Sequence, residues 1–260
     1  MPTRSAILRG TCCIGLPLLL IALGGCASSR HAPQLQGAEA NMQKGLKALK
    51  DKDCARATEE FQRLVSNYPG SALAPDGQYY LAESYSCAED YVNAVFEYQR
   101  AIDTYPSSQW VDESQFKIGE SYFHQTRQAQ LDQKETLQAL EQYRLFLEEF
   151  PDSPLADKAR ERLLEGRSRL AEKVYLSAEL YYRQDHLDAA VMTYQELVSS
   201  YPDTPWLYRA QLRLGEIARQ RGKVDEATQR WTEVVQNSPD AEVREEARKL
   251  LQQIGAASGG

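Results

Sequence analysis

An alanine recurs five times along the chain, each time twelve residues before a proline and four residues before an aromatic residue. The alanines are Ala57, Ala94, Ala139, Ala190 and Ala227, and the aromatic residues are Phe61, Tyr98, Tyr143, Tyr194 and Trp231. The prolines lie in the pairs Tyr68-Pro69, Tyr105-Pro106, Phe150-Pro151, Tyr201-Pro202 and, without the aromatic residue, Ser238-Pro239. Such a period indicates a repeat protein, in which each unit buries its apolar face only against its neighbours.

A second recurring element lies upstream of each alanine. It reads Leu81-Ala82-x2-Tyr85, Ile118-Gly119-x2-Tyr122 and Leu214-Gly215, and the first and fourth repeats keep only Gly45 and Tyr181. Together the two elements match the tetratricopeptide pattern, in which small residues let two helices cross closely and proline ends the second helix. We therefore predict an all-α fold, a tetratricopeptide-repeat (TPR) superhelical solenoid of about five helical hairpins, in preference to an irregular helical bundle.

The spacing of the prolines departs from regularity twice. Successive prolines are 37, 45, 51 and 37 residues apart, so the third repeat has eight extra residues and the fourth has fourteen. The polar stretch from Gln125 to Lys134 predicts that the first insertion is a long loop between two helices. Residues 154–182 carry apolar side chains at helical spacing, so the second insertion is predicted to lengthen a first helix that joins two halves of the solenoid.

The N-terminus has the order of a lipoprotein signal peptide. Arg4 and Arg9 precede an apolar run of about ten residues, which matches a signal-peptide core and is too short to span a bilayer. The run ends in LGGC, which resembles the lipobox of bacterial lipoproteins, so Cys26 is expected to carry the lipid. Ala27 and Ser28 follow it, and they favour the outer membrane because aspartate after the cysteine is the usual inner-membrane retention signal. An ordinary secretory signal is the alternative.

The charge of the chain argues against a nucleic-acid partner. The net charge is −7, and removal of residues 1–25 leaves 28 basic and 37 acidic residues. Binding a phosphate backbone needs a concentrated basic face, which the sequence lacks.

The predicted organisation has five parts. They are a signal peptide (1–25), a lipidated linker (26–37), an N-terminal TPR half (38–152), a C-terminal TPR half (153–254) and a disordered tail (255–260).

The cysteines sort by their position. Cys12 and Cys13 leave with the signal peptide and Cys26 takes the lipid, so Cys54 and Cys87 remain. An exported bacterial protein meets an oxidising compartment, and we therefore predict a disulfide between the last two, at the same end of neighbouring hairpins. Two separately buried thiols are the alternative.

Three stretches carry a resemblance to a known family. They are FQRLVSNYPGS (61–71), YRLFLEEFPDSPLADKARERL (143–163) and LAEKVYLSAELYYRQDHLDAAVMTYQELVSSYPDT (170–204). With the lipobox, the five repeats and both insertions, they resemble the BamD family, also called ComL, the lipoprotein of the outer-membrane β-barrel assembly machinery. One departure is Ala48, where an aromatic residue is usual, so the first helix is expected to pack loosely.

The resemblance implies a scaffold rather than an enzyme. Such proteins hang from the inner leaflet of the outer membrane, facing the periplasm, with other assembly lipoproteins. They bind the periplasmic domains of the barrel-forming subunit with C-terminal repeats and unfolded outer-membrane proteins with N-terminal repeats. No cofactor or metal is implied, and His31, His124 and His186 form no metal-binding spacing. A periplasmic Tol-Pal or peptidoglycan-associated TPR adaptor is the alternative.

Two groups of residues are candidate binding sites. For docking of the barrel-forming subunit they are Arg209, Arg213, Glu216 and Arg219, with Arg221 adding positive charge. For an extended substrate in the N-terminal groove they are Tyr79, Glu83, Phe116, Glu120 and Phe123. Their spacing of three or four residues places each set on one helix face. A solvated charged face and aromatics buried between hairpins are the competing interpretations.

Overall fold

Eleven α-helices and no β-strand make up the part of the chain that a computed structural model describes, residues 31–258, with side chains from 36 to 255. The helices are α1 (His31–Lys50), α2 (Cys54–Asn67), α3 (Ala74–Cys87), α4 (Tyr91–Thr104), α5 (Val111–His124), α6 (Lys134–Glu149), α7 (Ala156–Arg183), α8 (Leu187–Ser200), α9 (Trp206–Gln220), α10 (Val224–Asn237) and α11 (Ala241–Ser258). Each helix packs on the next, so the first ten form five hairpins and α11 covers the last hairpin.

The crossing point of each hairpin explains the repeat. A Cβ on Gly45 would lie 2.6 Å from Phe61, and one on Gly119 would lie 2.7 Å from Tyr143. The repeat aromatic therefore fills the space above a small residue of the first helix. In the second and fourth repeats the small residues Ala82 and Ala178 are fully buried. This close crossing confirms the TPR solenoid.

Four of the five hairpin turns share one backbone feature. Lys52, Glu89 and Asp185 have φ values of 58°, 58° and 62°, and Gly222 has 73°. Each lies five residues before a repeat alanine, where the chain reverses between two helices. Only the last turn uses the residue type that reaches this left-handed region without strain.

Both predicted insertions are confirmed, and they contact each other. Helix α7 has 28 residues where α5 has 14, and residues 125–133 form a loop between α5 and α6. Arg169 of α7 donates to the Thr126 hydroxyl. The Lys173 ammonium donates to the Leu131 carbonyl at 2.9 Å. The loop thus covers one side of α7 near its middle.

The first two hairpins are joined covalently. Cys54 begins α2 and Cys87 ends α3, and the structure pairs them in a disulfide with a Cα–Cα distance of 5.6 Å. Ala48 is buried, so the first helix packs closely although it lacks the usual aromatic residue.

Two helices extend past the ranges predicted for the repeats. Helix α1 begins at His31, inside the predicted linker, and α11 runs to Ser258, into the predicted tail. The C-terminal extension contains Ala256 and Ala257, and alanine favours the helix.

Candidate functional site

The first helices of the hairpins lie on the inner side of the array. Helix α1 contacts α3, the first helix of the next hairpin, and α9 contacts both α7 and α11. First helices that approach each other in this way bend a solenoid toward themselves. The surface shared by α3, α5, α7 and α9 is therefore the candidate functional site.

Three sets of side chains, here called the inner ladder, link these helices. Each set has a tyrosine from a second helix, a glutamate from its own first helix and a cation from the next first helix. The sets are Tyr98–Glu83–Lys117, Tyr143–Glu120–Arg162 and Tyr194–Glu179–Arg213.

The geometry of the inner ladder is that of charge-assisted hydrogen bonding. The Tyr143 and Tyr194 hydroxyls donate to Glu120 and Glu179 at 2.6 and 2.5 Å. Arg162 and Arg213 each donate through Nε to the same carboxylates at 2.8 Å. Tyr98 donates to Glu83, whose second partner is the Lys117 ammonium at 2.7 Å. Each carboxylate thus ties its own hairpin to the next one.

The ladder depends on the register of α7. Lys117, Arg162 and Arg213 each follow a repeat proline by eleven residues. Arg162 lies in the N-terminal half of α7 and contacts the third repeat, whereas Glu179 lies in the C-terminal half. Helix α7 therefore does the work of two first helices. Its N-terminal half packs on the third hairpin, and its C-terminal half forms the fourth hairpin with α8.

Burial and pairing shift the pKa values in opposite directions. Burial raises the pKa of Tyr143 and Tyr194 well above the ordinary value, and the bonded carboxylates raise it further. Burial also acts to raise the pKa of Glu120 and Glu179, but hydrogen bonds from the tyrosines and arginines outweigh it. The pKa of each glutamate is therefore lowered. These glutamates are charged near neutral pH.

The three aromatics named for the N-terminal groove are buried, in agreement with the competing interpretation of their spacing. Tyr79, Phe116 and Phe123 are 3%, 1% and 8% exposed. Tyr79 stacks on Trp110 with ring centroids 4.2 Å apart. Phe116 packs edge-on against Phe146 at 5.6 Å.

Cations complete the cover of these rings. The Lys158 ammonium lies 5.0 Å from the ring centre of Phe116, and the Arg162 guanidinium lies 5.0 Å from that of Phe123. The neighbouring hairpins and their cations therefore fill the positions at which a substrate would contact these aromatic side chains. Glu83 and Glu120 do lie on the inner side, but as members of the ladder.

The predicted docking residues are brought together on α9, and each already has a partner. Arg213 binds Glu216 at 2.7 Å in addition to Glu179. Arg209 binds Asp240 at 3.0 Å, and Arg219 donates to Gln253 at 3.1 Å. Arg221, beyond the end of α9, binds Asp188 at 2.6 Å.

Cys26 lies outside the described residues. His124 ends α5, and His186 precedes α8 at an exposed position. Across residues 31–258 no group of His, Cys, Asp and Glu side chains could hold a metal ion. No helix of this part of the chain is both long and apolar enough to cross a bilayer.

The inner ladder was missed in the sequence, although it left a signal there. A glutamate directly follows the small crossing residue in four repeats, as Glu83, Glu120, Glu179 and Glu216. In the first repeat this position is Leu46. This recurring glutamate, together with a lysine or arginine eleven residues after each of three repeat prolines, would have predicted ion pairs between neighbouring repeats.

Known proteins resemble this chain along most of its length. The family model YfiO, described as outer membrane lipoprotein, matches residues 36–230. The outer membrane protein assembly factor BamD of Rickettsia prowazekii is 23% identical over 232 residues, or 89% of this chain and 92% of that protein. BamD of Vibrio cholerae is 32% identical over 101 residues, or 39% of this chain and 42% of that protein.

Solved structures with similar helical repeats are more distant. The TPR2AB-domain:pHSP90 complex of yeast Sti1 has a TM-score of 0.45 at 15% identity, over 85% of this chain and 87% of that one. A tetratricopeptide repeat protein from Parabacteroides merdae has a TM-score of 0.38 at 15% identity, over 84% and 99%. On the evidence of the family model, which covers most of its residues, the chain belongs to the YfiO family of outer membrane lipoproteins.

Proposed function

We propose that this chain is a non-enzymatic, lipid-anchored scaffold of outer-membrane β-barrel assembly, held through Cys26 on the periplasmic face of the outer membrane. The observation that carries the proposal is the relationship to an outer membrane protein assembly factor over 89% of the chain. The sequence LGGC at Cys26, which ends a short apolar run, supports the anchor.

The geometry suits a scaffold. The charged groups of the inner ladder bind one another, so they fix the angle between successive hairpins and are not available to bind a substrate. A solenoid fixed in this way offers a long, rigid surface on which several partners can be held at once.

The proposed partners are those of the assembly machinery. The C-terminal repeats would bind the barrel-forming subunit, and the partly exposed arginines Arg209 and Arg219 belong to that surface. Other assembly lipoproteins and unfolded outer-membrane proteins would bind elsewhere along the array. Because the aromatics named for substrate binding are buried, no substrate contact is assigned to Tyr79, Phe116 or Phe123.

A pull-down tests the proposal. Full-length protein with a C-terminal tag is expressed in its own cells and recovered from gently solubilised outer membranes. Recovery of a large barrel protein with periplasmic repeat domains is the expected result. Recovery of Tol or Pal proteins in its place would overturn it in favour of a periplasmic adaptor. A Cys26→Ala variant should lose membrane association in high salt, and its normal processing and retention would contradict the anchor.

A further inference from the structure

The N-terminal half of α7 packs on α6, the second helix of the preceding repeat, but α8, the second helix of its own repeat, packs beside the C-terminal half. In the other repeats the residue thirteen positions after the repeat proline is small, as in Ala82, Gly119 and Gly215, because the hairpin's own aromatic packs on it. The corresponding residue of α7 is Leu164, which is 44% exposed. The fourteen inserted residues add four turns of first helix without adding the helix that would cover them.

The uncovered face is a continuous strip, here called the α7 strip. It consists of Glu161, Leu164, Glu165, Ser168 and Glu172, which share one side of the helix over three turns. The strip and the neighbouring Arg169 line a concavity of about 510 Å³. Apart from α7, only Pro205 of the turn between α8 and α9 contributes to its wall. One side is therefore a helix face, and the space beside it is open.

The charges of the strip are not all satisfied within the molecule. Glu165 binds Arg162 at 2.8 Å and also lies 3.6 Å from Arg169. Glu161 and Glu172, at the two ends, have no hydrogen-bond or ion-pair partner among the described residues. An exposed leucine between two unpaired carboxylates presents both an apolar contact and negative charge.

We propose that the α7 strip docks a basic amphipathic helix of a partner protein, in the place where a second helix would stand. An apolar side chain of that helix packs on Leu164, and lysine or arginine residues about 16 Å apart reach Glu161 and Glu172, which are eleven residues apart. Leu164 holds such a helix farther away than a hairpin partner, since an aromatic ring cannot approach the backbone as it does over glycine. The proposal does not depend on the proposed function.

Site-specific crosslinking tests it in cells that make the full-length protein. A photo-reactive amino acid replaces Ser168 in the strip, and a matched control replaces Ser177, which is exposed on the opposite face of α7. The expected result is a discrete protein adduct from position 168 and none of that size from 177. Mass spectrometry of the adduct should map the crosslink to a segment with basic residues at helical spacing.

Charge reversal then decides the mechanism. With the crosslinker at position 168, Glu161→Lys combined with Glu172→Lys should reduce the adduct at least ten-fold, and Leu164→Ala should also weaken it while circular dichroism stays unchanged. A missing adduct, an adduct with lipid or with an acidic segment, or an adduct insensitive to charge reversal would overturn the proposal. Co-purification of the barrel-forming subunit is scored separately, so failure of either proposal is recognisable.

Discussion

The rings of Tyr91 and His124 stack in parallel, 5.2 Å apart, at the junction between the second and third hairpins. They occupy the same repeat positions as Cys54 and Cys87 at the junction before it, three residues before the repeat alanine and eighteen after the repeat proline. One pair is a ring contact and the other is a disulfide. The first two junctions between hairpins thus use the same pair of repeat positions, one for a covalent bond and the other for ring stacking.

Removal of the disulfide should destabilise the N-terminal hairpins. Cys54→Ser with Cys87→Ser opens a loop closed over a sequence separation of 33 residues. Loop-closure entropy predicts a loss of about 3 to 4 kcal/mol in the free energy of unfolding. Urea unfolding with and without a reductant measures it. The reductant should shift the unmodified protein and leave the double variant unchanged, and two free thiols in the unmodified protein would contradict the disulfide.

Loss of a single ladder hydroxyl should cost stability without changing the fold. Tyr143→Phe keeps the buried ring but removes the donor to Glu120. The free energy of unfolding should fall by about 1 to 2 kcal/mol, because a hydrogen bond to a charged group is lost. Tyr181→Phe, at an exposed tyrosine, is the matched control and should change stability by less than about 0.5 kcal/mol. Equal effects of the two variants would remove the ladder's structural role.

A methyl group at a crossing point should be harmful. In Gly119→Ala the new Cβ would lie 2.7 Å from the Tyr143 ring. The overlap should cost about 1 to 3 kcal/mol, more than the roughly 1 kcal/mol that alanine gains over glycine in a helix. Gly255→Ala is the control, since its Cβ would have no heavy atom within 4 Å. Thermal unfolding should show a lower midpoint only for the first variant.

The sequence predicted the hairpins because the small residues, aromatic residues and prolines that form each hairpin lie close together within one repeat. Ala57 and Phe61 lie where a helix crosses its partner, and both insertions showed in the proline spacing. The crossing residue of the fourth repeat was missed because Ser177 precedes Ala178, whereas the recognised elements have Leu81, Ile118 and Leu214 at that position.

The exposure of the groove aromatics could not be predicted in the same way. Spacing shows which side chains share a helix face, but not what covers that face. The ring that covers Tyr79 is Trp110, which comes from the turn between α4, the second helix of the same hairpin, and α5. Likewise the cation over Phe116 comes from Lys158 of α7. Such cover depends on contacts between elements more than thirty residues apart in the chain, which the local pattern does not contain.

Acid should weaken the ladder in a defined direction. Burial acts to raise the pKa of Glu120 and Glu179, but bonds from tyrosine and arginine dominate and lower the pKa of both below the ordinary value of 4.5. A lowered pKa in the folded state stabilises the protein above the unfolded-state pKa, and this contribution is lost as pH falls through the folded-state pKa. Stability should therefore decline from about pH 5 downward.

Urea unfolding at several pH values between 7 and 3 measures this decline. The double variant Glu120→Gln, Glu179→Gln is the comparison, because neither amide titrates. It should be less stable than the parent at pH 7 and should lose less stability on acidification. Parallel curves for the two proteins would show that other carboxyl groups cause the acid sensitivity.

Charge reversal on α9 tests docking without disturbing the fold only at an arginine that lies outside the inner ladder. Arg213 binds Glu179 and Glu216, so Arg213→Glu breaks the ladder and leaves the carboxylates without their cation. Arg209 is 41% exposed in its side chain and Arg219 is exposed, and both lie outside the ladder. Surface ion pairs contribute only about 0 to 1 kcal/mol. The double variant Arg209→Glu, Arg219→Glu should therefore remain folded.

That double variant should lower co-purification of the barrel-forming subunit at least five-fold, because it places negative charge where the proposed docking surface is positive. Arg63→Glu with Arg100→Glu is the matched control, since these arginines are 51% and 52% exposed in their side chains and each pairs with a glutamate three residues earlier. The control changes the net charge equally but lies on second helices of the first two repeats. If both double variants reduce recovery to the same extent, net charge rather than the α9 surface governs binding. If neither does, the subunit docks elsewhere on the array.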